Sequence, residues 1–191
     1  AYHNHGLAYY MAAGEWAKAG AAADALAKLD PDGKQYDVAA GRYAQFRAAL
    51  LAGAAPEKIT ALREKVADAD PKNEKGYLEK AYLSEVTALM KLGQKQEKGE
   101  RKETIHQMET LLRQTIKTVP KLANPMQVYG LLFQIQAQLG KFDQAIATLE
   151  ELKSKAPEDA DTSQIDQVIE RLREAAKEQE KKKKKKTETQ P

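Results

Sequence analysis

The chain has 191 residues, of which 31 are Lys or Arg and 28 are Asp or Glu, so its formal net charge is only +3. Because it contains no Cys, it has neither a disulfide framework nor a thiolate that could bind a metal or act as a nucleophile. Its length suits one domain or a short array of repeats, and no apolar run approaches the roughly 20 residues of a membrane-spanning helix.

The positive charge is concentrated at the C-terminal end. Residues 177–191 contain seven Lys and three Glu, which leaves 24 basic and 25 acidic residues in the preceding 176. A nearly neutral body argues against a broad nucleic-acid-binding surface, since such a surface needs many cations on one face. We therefore expect no specific nucleic acid among the partners.

Glycine and proline divide the chain into four units. The spacings from each turn glycine to the following proline are 17, 18, 27 and 17 residues. Glycine suits a turn between helices because it adopts a positive φ without strain, and proline ends a helix because it lacks an N–H. Each unit is therefore predicted to be a helix, a turn and a second helix. The glycines are Gly14, Gly53, Gly93 and Gly140, and the prolines are Pro31, Pro71, Pro120 and Pro157.

Apolar residues recur at helical spacing within these units. The second helix of the first unit has small residues on its stripe, that of the third unit has large ones, and the fourth unit has two full stripes. We find no sustained alternation of apolar and polar residues, so the sequence predicts an all-α fold. The stripes are Trp16, Ala19, Ala23 and Leu26; Ile105, Met108, Leu112, Ile116 and Val119; Val128, Leu131, Leu132, Ile135 and Leu139; and Phe142, Ala145, Ile146, Leu149 and Leu152.

A different element follows the fourth unit. Asp161, with Gln164 three positions later, is typical of a capping box at the start of a helix. We expect an amphipathic capping helix over residues 159–180 that closes the array. We also expect a disordered Lys-rich tail over residues 181–191, because adjacent like charges repel and bury nothing. The apolar stripe of the helix consists of Ile165, Val168, Ile169, Leu172 and Ala176.

Two of the units resemble the second half of a tetratricopeptide repeat (TPR). In both, an aromatic residue follows the turn glycine by two positions, Ala follows three positions later, and Pro lies 17 positions after the glycine. The other two units depart from the pattern, because Pro56 follows the turn of the second and the charged stretch 94–102 is inserted in the third. The matching residues are Gly14, Trp16, Ala19 and Pro31 in the first unit, and Gly140, Phe142, Ala145 and Pro157 in the fourth.

This resemblance implies a right-handed α-solenoid of TPR-like helical hairpins over residues 1–158, with units at about 1–34, 35–72, 73–121 and 122–158. It also implies a concave groove, lined by the first helix of each hairpin, that binds a peptide or a helix of a partner protein. The pairs of Lys and Asn with which some TPR domains grip a terminal carboxylate are not evident. Counting from the turn glycines, the residues expected to face the groove are Tyr43, Arg47, Lys80, Lys91, Gln127, Gln134 and Gln138.

The chain offers few groups for catalysis. No Ser–His–Asp set, phosphate-binding Gly loop or pair of carboxylates stands out, and His106 is predicted to be a solvated helix residue. We therefore expect no enzyme activity, no cofactor and no metal site. One alternative concerns Ala1 to His3: if Ala1 is the mature N-terminus, its amine, two amides and the His3 imidazole match the nitrogen ligation of Cu(II) or Ni(II). Otherwise His3 and His5 are ordinary polar residues.

Two functions remain open. The first is a scaffold or adaptor that binds a protein or peptide segment in the groove. The second is a structural or assembly subunit of a larger complex, which includes membrane-attached ones, with the tail lysines as an electrostatic tether to an anionic surface. The sequence predicts a soluble chain and leaves its compartment open between the cytoplasm and an exported location with the leader removed. The tail lysines are Lys181, Lys182, Lys183, Lys184, Lys185 and Lys186.

Overall fold

The computed structural model describes residues 2–156 and 161–188, with side chains over 5–156 and 161–181. Within these ranges the chain forms nine α-helices and no strand, so the predicted all-α class is confirmed. The helices are α1 (Tyr2–Ala12), α2 (Trp16–Leu29), α3 (Val38–Leu51), α4 (Pro56–Ala69), α5 (Tyr77–Gly93), α6 (Lys98–Thr118), α7 (Pro125–Gln138), α8 (Phe142–Ser154) and α9 (Ser163–Glu188).

The first eight helices form four pairs, each joined by a short turn. Every helix packs on the next one along the chain, both within a pair and between pairs, and α9 packs on α8. In addition, α3 contacts α5. The two helices of each pair lie within one of the four units defined by the glycine and proline pattern. Hereafter α1, α3, α5 and α7 are the first helices, and α2, α4, α6 and α8 are the second helices.

The helix boundaries follow the glycine and proline pattern at most positions. α2, α4 and α6 each end two residues before a predicted proline stop; Pro157 lies outside the described residues. Three of the four turn glycines have the positive φ that side chains disfavour. These φ angles are 72°, 69° and 71° at Gly14, Gly53 and Gly140.

The predicted turn at Gly93 is wrong. Gly93 is the last residue of α5 and is buried beside Thr104 of α6. The turn consists of residues 94–97, and α6 begins at Lys98. The predicted insertion 94–102 is thus divided between a short turn and the first residues of a long helix, because Lys, Arg and Glu are good helix formers.

The beginning and the end of α9 also differ from expectation. The carbonyl of Thr162 accepts the N–H of Asp166 at 3.1 Å, which makes Thr162 the N-cap. Asp161 lies one residue earlier, and its carboxylate accepts the N–H of Ser163 at 2.9 Å. The helix continues to Glu188, past residue 180 where we expected disorder to begin, because Lys loses little rotamer freedom in a helix. Its predicted apolar stripe does face α8, and Ile169 is 4% exposed.

Two loops that follow second helices repeat one hydrogen-bond pattern. They are residues 30–33, Asp-Pro-Asp-Gly, and residues 70–73, Asp-Pro-Lys-Asn. In each loop, the backbone carbonyl of the first Asp accepts the N–H of the residue three positions later, with N···O distances of 3.0 and 2.9 Å. Its carboxylate accepts the N–H five positions later, at 2.6 and 3.0 Å. The third residue after the Asp has a positive φ in both loops, 64° at Gly33 and 54° at Asn73.

The apolar core continues from one helix pair to the next. Phe46 of α3 lies in a cluster with Val66 of α4 and Leu78 of α5, and Val86 of α5 lies in another with Leu112 of α6 and Val128 of α7. Because each cluster draws on neighbouring pairs, the pairs depend on one another for burial, as in repeat proteins.

Small residues allow the closest helix contacts. Ala19 and Ala145, the alanines of the two TPR-like units, are both 0% exposed. At Gly20 of α2, an added Cβ would lie only 2.8 Å from the Cβ of Ala48 on α3, so α2 and α3 lie nearly backbone to backbone there.

Candidate interaction surface

The predicted groove residues occupy three kinds of environment. Tyr43 is 7% exposed and packs with Phe46, so it is a core residue and not an open groove residue. Its burial follows from the aromatic side chains of α2 and α5 that cover it. Arg47 is half-buried, and the other predicted groove residues are exposed. These are Lys80 and Lys91 on α5, and Gln127, Gln134 and Gln138 on α7.

Three aromatic rings form a row across α2, α3 and α5. The ring centroids of Trp16 and Tyr43 are 5.7 Å apart with planes at 81°, and those of Tyr43 and Tyr77 are 5.3 Å apart at 28°. Burial raises the pKa of the Tyr77 hydroxyl above its ordinary value, so it stays protonated at neutral pH. The row joins the first two helix pairs to the third.

Two cations lie over this row. The guanidinium carbon of Arg47 is 4.7 Å from the Trp16 ring centroid, and the Nζ of Lys80 is 5.1 Å from the Tyr77 centroid. Both distances are within the range of cation–π attraction. The Ser84 hydroxyl of α5 accepts from Arg47 Nη1 at 2.7 Å and donates to the backbone carbonyl of Lys80, one turn earlier in the same helix, at 2.6 Å. We call the set Trp16, Tyr43, Tyr77, Arg47 and Lys80 the cation–aromatic row.

These cations have no carboxylate partner among the residues that the structure describes. Within the described part of the chain, no ion pair involves Arg47, Lys80 or Lys91. The Nε of Arg47 is moreover buried without a hydrogen-bond acceptor. Cations that are taken out of water are normally paired, so the environment of Arg47 is unusual. One sign of it is visible in the sequence, since α3 contains no acidic residue.

A cavity of about 630 Å³ adjoins the row. Its walls come from α1, α3, α5 and the loop between α2 and α3, and they include Leu7, Met11, Ala40 and Tyr77. We call this the N-terminal cavity. Tyr77 lines it and also belongs to the cation–aromatic row. The carboxylate in the wall, Asp37, is already engaged, because it accepts the N–H of Ala40 at 3.0 Å and pairs with Lys75 at 2.9 Å.

A second cavity of about 630 Å³ lies between α4 and α6, with α5 as its floor. Arg63 and Glu85 form an ion pair in this α4–α6 groove, and their side chains are 10% and 13% exposed. Arg63 also lies 4.5 Å from the Tyr82 ring centroid. Burial raises the pKa of Glu85, although the hydrogen bond and the charge of Arg63 oppose this. The His106 side chain, 37% exposed, lies at the edge of the groove.

Glu109 of α6 is the centre of a second ion network. Its carboxylate pairs with Lys141 at 2.6 Å and with Arg113 at 3.2 Å, while His106 lies at 3.8 Å. Burial raises the pKa of Glu109, but the hydrogen bonds from Lys141 and Arg113 outweigh burial, and the net pKa is lowered. The network joins α6 to the turn between α7 and α8, which is a structural role.

We expect Glu109→Gln to lower the free energy of unfolding by about 1–2 kcal/mol at pH 7, because it weakens charge-assisted hydrogen bonds. A carboxyl with a lowered pKa stabilises the folded chain above its unfolded pKa, and this contribution is lost as the pH falls through its folded pKa. The wild type and the variant should therefore converge below the ordinary Glu pKa of 4.5. Urea unfolding at a series of pH values measures the difference in stability between the wild type and the variant. Glu103→Gln, at an exposed residue of the same helix, is the control. Identical pH profiles for the two variants would contradict the prediction.

The structure leaves some of the other predictions untested. Within residues 2–156 and 161–188, no cluster of three or more His, Asp or Glu is placed to hold a metal ion. Ala1 and the side chains of Tyr2 and His3 lie outside the described residues, so the copper or nickel alternative is open. Lys181 is exposed, and the side chains of residues 182–186 also lie outside. No described helix combines the length and apolar character needed to cross a bilayer.

No protein-family model, no curated protein and no solved structure matches this chain. The described residues define an all-α protein of paired helices.

Proposed function

We propose that this chain is a non-enzymatic protein-interaction module, and that the face formed by its first helices binds an extended segment of a partner protein. Its four helix pairs would form an α-solenoid of TPR-like hairpins, closed by α9. Packing in chain order, cores shared between pairs and the repeated Asp-Pro loops all support this arrangement.

One observation carries the proposal. The N-terminal cavity, whose walls include apolar side chains of α1 and α3, adjoins a row of aromatic rings that also has two cations, and all the first helices but α7 contribute to this region. Aromatic and Arg side chains dominate the energetic centres of protein interfaces. Farther along, α7 presents the exposed amides of Gln127, Gln134 and Gln138, which can pair with the backbone of an extended chain.

The test is a selection from a library of random 12-residue peptides displayed on phage, with the full chain as bait. We expect peptides of micromolar affinity, and we expect them to slow amide hydrogen exchange in α1, α3 and α5. Selected peptides should compete with one another for this one surface. Recovery of no binding peptide, or protection confined to α4 and α6, would contradict the proposal.

A further inference from the structure

We infer that the bound segment is acidic, and that one of its carboxylates pairs with Arg47 and Lys80 in the cation–aromatic row. This inference rests on the proposed function, since it assigns a chemistry to the partner of that same face. It concerns side-chain carboxylates within a segment of a protein.

Acidic residues are distributed unevenly between the first and the second helices. α1, α3 and α7 contain no Asp or Glu. The two acidic residues of α5 are both engaged within the fold, because Glu79 accepts backbone N–H groups near α7 and Glu85 pairs with Arg63. The second helices contain Asp24, Glu57, Glu64, Asp68, Glu100, Glu103, Glu109, Asp143, Glu150 and Glu151.

The consequence is a cationic face. The basic residues of the first helices are Arg42 and Arg47 on α3 and Lys80 and Lys91 on α5. No described carboxylate pairs with any of the four, and Arg42 donates to the amide oxygen of Gln45. Complementary charge steers a partner to such a face and suppresses partners of like charge.

Arg47 lacks a charge partner among the described residues. Its guanidinium is half-buried over Trp16, donates to the neutral Ser84 hydroxyl, and keeps a buried Nε without an acceptor. Arg63 and Lys141, which are also buried or half-buried, each pair with a carboxylate, whereas the half-buried Arg42 donates to the amide oxygen of Gln45. An incoming carboxylate would give the half-buried guanidinium the charge partner that it lacks among the described residues.

The cavity beside the row favours an acidic protein segment over a free anion. The adjoining N-terminal cavity has apolar side chains in its walls, such as Leu7, Met11 and Ala40. A free inorganic anion gains nothing from these apolar side chains, whereas a peptide can place an apolar side chain against them and an acidic one on the row. The expected pattern is therefore an acidic residue beside a bulky apolar one.

The experiment compares matched variants on the peptides selected with the wild-type chain. Arg47→Gln/Lys80→Gln removes two charges from the row, and Lys58→Gln/Lys65→Gln removes two exposed charges from α4 that make no ion pair with the described residues. Lys80→Gln alone covers the case in which the loss of Arg47 disturbs folding, which circular dichroism would show. Isothermal titration calorimetry with each synthetic peptide and its Glu→Gln, Asp→Asn analogue measures the affinities, and inorganic phosphate serves as the free anion.

We expect Asp and Glu to be enriched beside apolar residues in the selected peptides. We expect affinity to fall about tenfold or more for the row variant and for the amide analogues, and to stay within about twofold for the α4 control. Peptides that bind α1, α3 and α5 without acidic enrichment, or with no loss on Lys80→Gln, would overturn the inference while leaving the proposed function intact. Competition by phosphate at micromolar concentration would overturn it in favour of a free anion, and recovery of no binding peptide would overturn both.

Discussion

Arg63→Met should lower the free energy of unfolding by about 3–5 kcal/mol at pH 7. The variant leaves Glu85 without its partner in the α4–α6 groove, where the carboxylate is only 13% exposed, and removing one member of a buried ion pair costs about this much. Part of the loss comes from the contact of Arg63 with the Tyr82 ring. Met retains a similar volume, so a cavity contributes little.

The pH dependence of this loss has a definite sign. The pKa of Glu85 is already raised by burial, and it rises further when the Arg63 charge is removed. A raised pKa means that the folded variant binds a proton more tightly than the unfolded chain, so its stability increases as the pH falls toward that pKa. Urea unfolding at pH 7 and pH 5 should therefore show a smaller loss at pH 5.

A second variant separates a buried charge from lost packing. Arg63→Met/Glu85→Leu removes both charges, and replacing a whole buried ion pair by apolar residues is often neutral or stabilising. We expect it to recover most of the loss. Arg171→Met, on an exposed residue of α9, is the surface control and should change stability by less than about 0.5 kcal/mol. A double variant no more stable than Arg63→Met would show that the charge of Glu85 is not the cause.

The helices and their apolar stripes could be predicted because the signals are local. A turn glycine, a proline stop and apolar residues at helical spacing all act within a few residues, and the stripe of α6 at Met108 and Leu112 is buried as predicted. The prediction of a turn at Gly93 failed for the same reason. Only the contact with Thr104 on the next helix shows that its lack of a side chain serves close packing at the end of α5.

The candidate site could be predicted only in part, because its geometry depends on distant contacts. Spacing placed Arg47 and Lys80 on the first-helix face, but it could not show that Trp16 lies under one and Tyr77 under the other. Burial of Tyr43 likewise depends on rings from two other helices. One feature of this surface is visible in the sequence itself, because the segments that form α1, α3 and α7 contain no acidic residue.

Glu79→Ala should lower the free energy of unfolding by about 2–4 kcal/mol, although Glu79 pairs with no described cation. Its side chain is 3% exposed, and its carboxylate accepts the backbone N–H of Ala123 and, at 3.0 Å, that of Asn124. These two residues immediately precede α7, so the carboxylate joins the start of α5 to the start of α7. Truncation removes the charged acceptor of two part-buried N–H groups, and each lost hydrogen bond of this kind costs about 1–3 kcal/mol.

Glu79→Gln and Glu64→Ala complete the design. The amide introduced by Glu79→Gln would keep one acceptor oxygen and turn a donor toward the second N–H, so this variant should lose about half as much stability as Glu79→Ala. Glu64 is exposed on α4 and forms no ion pair within the described residues, so its removal should have little effect. If Glu79→Ala speeds amide hydrogen exchange, relative to the wild type, more at Ala123 and Asn124 than in α2, the damage lies at the start of α7. An equal increase along the whole chain would show that Glu79 has no specific role in joining the two helices.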